Sequence, residues 1–329
     1  MIVLLLSLFQ SFSFQGYAGC GTGYTPNEFL GFGSGYINMS KEHGIFSAAQ
    51  EFRTSYTVPA ESLMYSFDRV VLYVTPYPVS FSIGKERVNW GFGMFYSPAD
   101  IFNSHYSVLD YERTRAGVLS TSVSYEWNSN IIQEFVVALP QDSIRIRRDN
   151  LRIGSSLNLF FGSYETFLSL VRVDDELPIS IGVRKDFLNF VFYSEATVKP
   201  PLDSLRPQFL FGFNRMLGAA GMIDVEYFYQ YAGMTKWKNV IPELMYPLGY
   251  TGKHYIYAFT QVGRERWFST GLYSVFNPVW GGGLAGLIVS YSGFRDITLT
   301  GTGIKILKGS EFNQLPYDYM LGLEMRYYY

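Results

Sequence analysis

The 329-residue sequence contains a single cysteine, Cys20, so one chain can form no internal disulfide and assemble no thiolate metal cluster. Its three histidines, His43, His105 and His254, lie far apart and lack ligand spacing, so no metal site and no cofactor are expected. Charge is sparse and balanced: 16% of residues are charged, and 26 Lys and Arg against 28 Asp and Glu leave a formal charge of -2. The basic residues are scattered and form no face with interleaved aromatics, which argues against nucleic acid as a partner. Beyond the first residues, no stretch approaches the roughly 20 consecutive apolar residues of a spanning helix, so any membrane crossing has to be made by strands.

What is abundant is aromatic side chain, 18% of the chain with 27 Tyr and 28 Phe, a composition that favours strands and exceeds the needs of one core. The last eleven residues, Tyr319 to Tyr329, set Leu321, Leu323, Met325, Tyr327 and Tyr329 on one parity and Gly322, Glu324, Arg326 and Tyr328 on the other. That length suits a tilted transmembrane strand of roughly 9 to 11 residues, and terminal tyrosines suit a membrane interface. The same alternation recurs at 221–232, where Ile223, Val225, Tyr227 and Tyr229 oppose Asp224 and Glu226. It recurs again at 151–161, where Arg152 lies on the polar parity, and at 119–127, where Glu126 does. Charged groups on one face of several strands are unsuited to the dry centre of a sandwich. Glu126, Arg152, Asp224, Glu226, Glu324 and Arg326 are therefore expected to line the lumen of a barrel.

The chain divides into three parts. Residues 1–18 have an apolar run followed by small and polar residues, as in a truncated secretory leader without its basic start. Residues 19–47 are glycine-rich without a period and are expected to be irregular, on the periplasmic side. From 48 to 329 the pattern predicts an antiparallel transmembrane β-barrel of about sixteen strands, with fourteen as the alternative, beginning near 48–57 and ending with 319–329. Its connections alternate in length: short at 128–130, 162–163, 217–220 and 263–264, long at 140–149, 198–205, 233–252 and 308–318. Short periplasmic turns and long extracellular loops are the signature of an outer-membrane barrel, and neither a propeller nor a sandwich predicts them. Trp127, Phe161, Tyr164 and Trp267 would then ring one rim, and Tyr231, Tyr255 and Phe276 the other.

The longest interruption, residues 89–114, is too apolar to lie in water and is expected to fold back into the barrel mouth. Within it, Ser97-Pro98-Ala99-Asp100 predicts one helical turn with Ser97 as cap. Candidate constriction residues are Arg87, Asn89, Trp90, Asp100, Asp110, Glu112, Arg113 and Arg115, with Arg87 or Arg113 expected to hold Asp100. The run Gly84-Lys85-Glu86-Arg87-Val88-Asn89-Trp90-Gly91, then Pro98, Asp100 and Phe102, resembles a motif of porin-like outer-membrane proteins of bacteria that reads Gly-Arg-x-Arg-x-Asn-Trp-Gly and Pro-x-Asp-x-Phe. The carboxyl-terminal strand is similar to the closing strand of such barrels, which implies recognition by the barrel-assembly machinery. What the resemblance implies is a channel for passive diffusion of small hydrophilic solutes in the cell outer membrane.

Catalysis is a poor alternative. Ser104-His105 is the only adjacent Ser/His pair and no oxyanion element accompanies it. Asp110 and Glu112 beside Arg113 and Arg115 read as an ion-pair network rather than an acid/base pair. The competing class is a structural or adhesive barrel without an open pore. Expected partners are outer-membrane lipid, lipopolysaccharide at the basic run Arg145, Arg147 and Arg148, and small solutes; a homo-oligomer is compatible with the sequence.

Overall fold

The computed structural model describes residues 13–24, 29–43, 45–58, 62–103, 117–139, 151–173, 175–199, 206–218, 221–231, 252–263, 267–279, 281–307 and 318–328. Every named element in them is a β-strand. In chain order these are β1 (Ser13–Tyr24), β2 (Phe29–His43), β3 (Phe46–Val58), β4 (Ser62–Val74), β5 (Val79–Glu86) and β6 (Val118–Asn128). They continue with β7 (Ile131–Leu139), β8 (Arg152–Phe161), β9 (Tyr164–Val173), β10 (Ile179–Phe187), β11 (Phe190–Lys199) and β12 (Arg206–Met216). The last six are β13 (Gly221–Gln230), β14 (His254–Val262), β15 (Phe268–Asn277), β16 (Gly282–Phe294), β17 (Ile297–Leu307) and β18 (Tyr319–Tyr328). No helix among the described residues is long and apolar enough to cross a membrane, which says nothing about crossing by strands.

Each strand pairs antiparallel with its neighbours in sequence, and β1 pairs with β18, so the ladder returns on itself. The result is a closed barrel of eighteen strands, with no open sheet edge. Both Ser13 and Tyr328 lie at one rim. At that rim, hereafter the turn rim, strands are joined by tight links at 44–45, 129–130, 162–163, 188–189 and 295–296. The opposite rim, the loop rim, carries the long connections 87–117, 140–151, 231–253 and 308–318. Leu188 and Asp296 adopt positive φ (55° and 64°) in two of the tight links, the backbone twist that short hairpins require.

The strand number corrects the expectation of sixteen, and the barrel begins at residue 13 rather than 48. All sixteen expected strands are present, as β3 to β18; the two additional ones are β1 and β2, from the segment read as leader and irregular chain. The physical reason is glycine. In β1, Gly19, Gly21 and Gly23 occupy the parity that faces inward opposite Arg326, Glu324 and Gly322, so there is no side-chain period to read. Glycine weakens intrinsic strand preference; the segment is extended because its backbone completes the ladder between β18 and β2. Residues 1–12 of the expected leader lie outside the described residues.

Alternation sorts the wall into two faces. Leu321, Leu323, Met325 and Tyr327 of β18 are exposed, as are Phe135, Val137, Leu168, Leu170, Leu272 and Leu287 on other strands, whereas Glu324 between them is buried. An exposed, nearly continuous apolar surface around a closed barrel is what a lipid environment would cover. Trp127, Phe161, Tyr164, Trp267 and Phe268 stand exposed at the turn rim, with Trp267 the most so at 74%. Tyr231 is exposed at the loop rim, but Tyr255, expected beside it on the outer surface, points inward and is buried, its hydroxyl accepting from the Gly252 amide at 2.6 Å.

Candidate functional site: a loop tethered inside the barrel

The connection from β5 to β6 is described over residues 87–103. Its inward path follows from reach. The indole of Trp90 donates to Glu134 of β7 at 2.7 Å, and the ring of Phe95 stacks on Tyr257 of β14, centroids 4.1 Å apart. Around the wall these strands are separated by about 34 Å at roughly 4.8 Å per strand, whereas five residues of chain extend at most about 18 Å. The segment is therefore a chord across the interior, with side chains from both walls reaching to meet it.

Two wall carboxylates hold the chord by its backbone. Glu195 of β11 accepts from the amides of Phe92 and Gly93, the latter at 2.7 Å, and from the Ser97 hydroxyl at 2.6 Å. Glu226 of β13 accepts from the amides of Met94 at 2.5 Å, Phe95 at 3.0 Å and Tyr96 at 3.2 Å. Five consecutive N–H groups thus converge on two acceptors, the arrangement that makes successive amides a good anion cradle. Tyr193 reinforces it by donating to Glu226 at 2.7 Å. Charge-assisted bonds of this kind contribute about 1.5–3 kcal/mol each when desolvated, so the tether is strong relative to a surface contact. Gly91 allows the bend: its φ is 105°, and a Cβ there would lie 2.0 Å from the Ser97 hydroxyl.

Apolar packing completes the attachment on both walls. Trp90 meets Phe102 edge-on at 4.8 Å, and both lie buried with Val118, Val136 and Val171. Gly154 of β8 is where this pair presses on the wall, since a Cβ would stand 2.9 Å from both rings. Phe95 and Tyr96 join Tyr193, Leu210, Phe228 and Tyr257 in the second cluster. Arg152 of β8 secures the descending limb, donating to the carbonyls of Ile101 at 2.5 Å and Phe102 at 2.9 Å.

The residues singled out from sequence fall into distinct places. Trp90 is an anchor, Arg87 is half-buried at the start of the loop, and Asn89 is exposed. Asp100 is buried and accepts from the Asn103 amide at 3.2 Å and its side chain at 2.9 Å. Asp110, Glu112, Arg113 and Arg115, with Ser104, His105 and the basic run at 145–148, lie outside the described residues. Of the expected lumen residues, Glu226 and Arg152 tether the loop. Asp224 is buried beneath it, accepting from Tyr193 at 3.1 Å. Glu324 and Arg326 pair with each other at 2.8 Å, and Glu126 is half-buried near the turn rim. Asp224 and Glu226 are therefore not bathed in lumen water, because the loop covers them. The expected helical turn at 97–100 is instead a β-turn, closed by Asp100 N–H to Ser97 carbonyl at 3.2 Å; Pro98 occupies its second position, and the Ser97 hydroxyl is taken by Glu195. Glu134, Tyr193 and Glu195 went unremarked in the sequence. The signal available was a lone carboxylate within a strand, as Glu195 between Tyr193 and Thr197 on one parity of β11.

No family model and no curated protein matches the chain by sequence. Solved structures do match by shape. The OccD3 (OpdP) structure from Pseudomonas aeruginosa superposes with a TM-score of 0.59 over 98% of this chain and 92% of that one, at 11% identity. The chain has the porin fold. OccK5 (OpdH) of the same organism gives 0.61 over 96% and 97% at 6% identity, and a Rhodopseudomonas blastica porin mutant gives 0.54 over 97% and 100% at 11% identity. At such identities the likeness concerns architecture, and the tether must be understood from this chain's own residues. Among the described residues no group of three His, Cys, Asp or Glu side chains is placed to hold a metal ion.

Proposed function

We propose that this porin-fold barrel is an outer-membrane channel through which small hydrophilic solutes diffuse passively, and that segment 87–103 sets its cross-section. The observation that carries the reading is the tether: a closed, lipid-suited barrel spends two buried carboxylates, Glu195 and Glu226, on holding one loop across its interior. A barrel serving only as a wall or an adhesin has no need to position a loop there. In this reading the loop rim is extracellular and the turn rim periplasmic. The motif from Gly84 to Gly91, with Pro98, Asp100 and Phe102, encodes the loop's bend, its β-turn and its aromatic anchor rather than a solute site. In this non-enzymatic reading the Ser97 hydroxyl, 2.6 Å from Glu195, serves the tether rather than a reaction.

One observation favours the competing structural barrel: the two apolar clusters occupy inner wall that a wide pore would leave open. Purified protein inserted in a planar bilayer separates the two. Discrete ohmic steps that grow on loosening the tether with Glu195→Gln plus Glu226→Gln support the channel; a silent barrel, with the variant silent too, supports the structural reading.

A further inference from the structure

The outward face over β13 to β18 is not smooth. Two adjacent rows of the ladder cross it side by side. One runs Ala258, Ser274, Ala285, Lys305, Tyr319; the next, toward the turn rim, runs Ile223, Thr260, Leu272, Leu287, Gly303, Leu321. On the loop-rim side stand Ile256, Phe276 and Leu307. The small side chains of Ala258, Ser274 and Ala285, with Gly303 in the next row, leave a trench of about 720 Å³ among Ile223, Leu272, Leu287, Leu321 and Tyr319. At its end sits Lys305, an exposed cation on an otherwise apolar, lipid-suited surface, its ammonium 5.9 Å from the Tyr319 ring centre.

We propose that this trench holds one acyl chain of an anionic, phosphate-bearing membrane lipid, with the phosphate at Lys305. The inference rests on the membrane reading above. Trench and charge belong together: apolar walls of this length suit a hydrocarbon chain, and a lysine facing lipid is unfavourable unless it reaches a headgroup. A second copy of the chain is the poorer occupant. The outward rows of β13 to β18 carry no Asp or Glu, so a copy apposed through this same face would cover Lys305 without a counter-charge.

The test uses the full chain in phosphatidylcholine vesicles titrated with acyl-brominated phosphatidylglycerol or acyl-brominated phosphatidylcholine, which quench a nearby tryptophan. Reporters are Leu321→Trp at the trench edge and Leu168→Trp on the exposed face of β9, each corrected for the parent's own tryptophans. The expected result is half-maximal quenching at Leu321→Trp by the phosphatidylglycerol at about five-fold lower mole fraction than at Leu168→Trp, the ratio expected for one lysine near a phosphate. Adding Lys305→Gln abolishes the difference, and the phosphatidylcholine probe shows none. Equal quenching at both positions, or a difference that survives Lys305→Gln, overturns the lipid site. Protection of Leu321→Trp alone from both probes overturns it in favour of a copy-to-copy contact. If neither reporter is quenched by either lipid, the membrane reading itself has failed.

Discussion

At the residue scale, Glu226 is the group on which the tether most depends. It accepts from three successive amides, those of Phe95 and Tyr96 in buried bonds, and an orphaned buried N–H costs about 1–3 kcal/mol. Glu226→Ala should therefore release residues 92–97 rather than leave them bonded to nothing. Limited proteolysis is expected to cut this segment in the variant and spare it in the parent; equal protection would mean that packing alone holds the loop. Gly154 makes the complementary point on the opposite wall. Gly154→Val sets atoms against Trp90 and Phe102, so overpacking should lower stability by about 1–3 kcal/mol in equilibrium unfolding. Asp100 is buried and accepts from Asn103, so Asp100→Asn should weaken that contact by about 1 kcal/mol, and the reversal potential in a salt gradient measures whether its charge acts at the constriction.

At the scale of the element, β18 shows what alternation enforces. Its Leu323, Met325 and Tyr327 are exposed on the lipid-suited face while Glu324 is buried against Arg326. Arginine on the outward parity has to enter lipid, so Met325→Arg should cost about 2–4 kcal/mol if residue 325 lies near the midplane and less toward the turn rim, where this strand ends. Reversible unfolding from vesicles measures it, and a variant as stable as the parent would place residue 325 on the wrong face. Aromatic side chains on the inward face lie over glycines of the paired strand, as Tyr193 does over Gly212 and Tyr273 over Gly286. Such pairs cover backbone that glycine leaves bare and so pin the register.

At the scale of the whole molecule, closure depends on β1. Without it β2 and β18 would each present an unpaired edge of backbone donors and acceptors, the arrangement that invites aggregation. Deleting residues 13–24 should abolish the compact, heat-modifiable band that folded barrels give on detergent gels. A deletion variant that keeps the band would show that β2 and β18 can close the ring by themselves.

The sequence by itself determined the fold class, sixteen of the eighteen strands and the face each of the clearest ones presents, because side chains alternate with a period of two wherever one face meets lipid and the other does not. It also marked the loop from Asn89 onward as belonging inside, since so many aromatics have no place in water. Only the tertiary structure decided the rest. β1 and β2 are strands because their neighbours require a closing backbone, a demand that leaves no mark on glycine-rich sequence. Glu195 and Glu226 are tethers because a loop about a hundred residues away in the chain brings its amides to them. Alternation reports which way a side chain points, and it carries no information about what will meet it there.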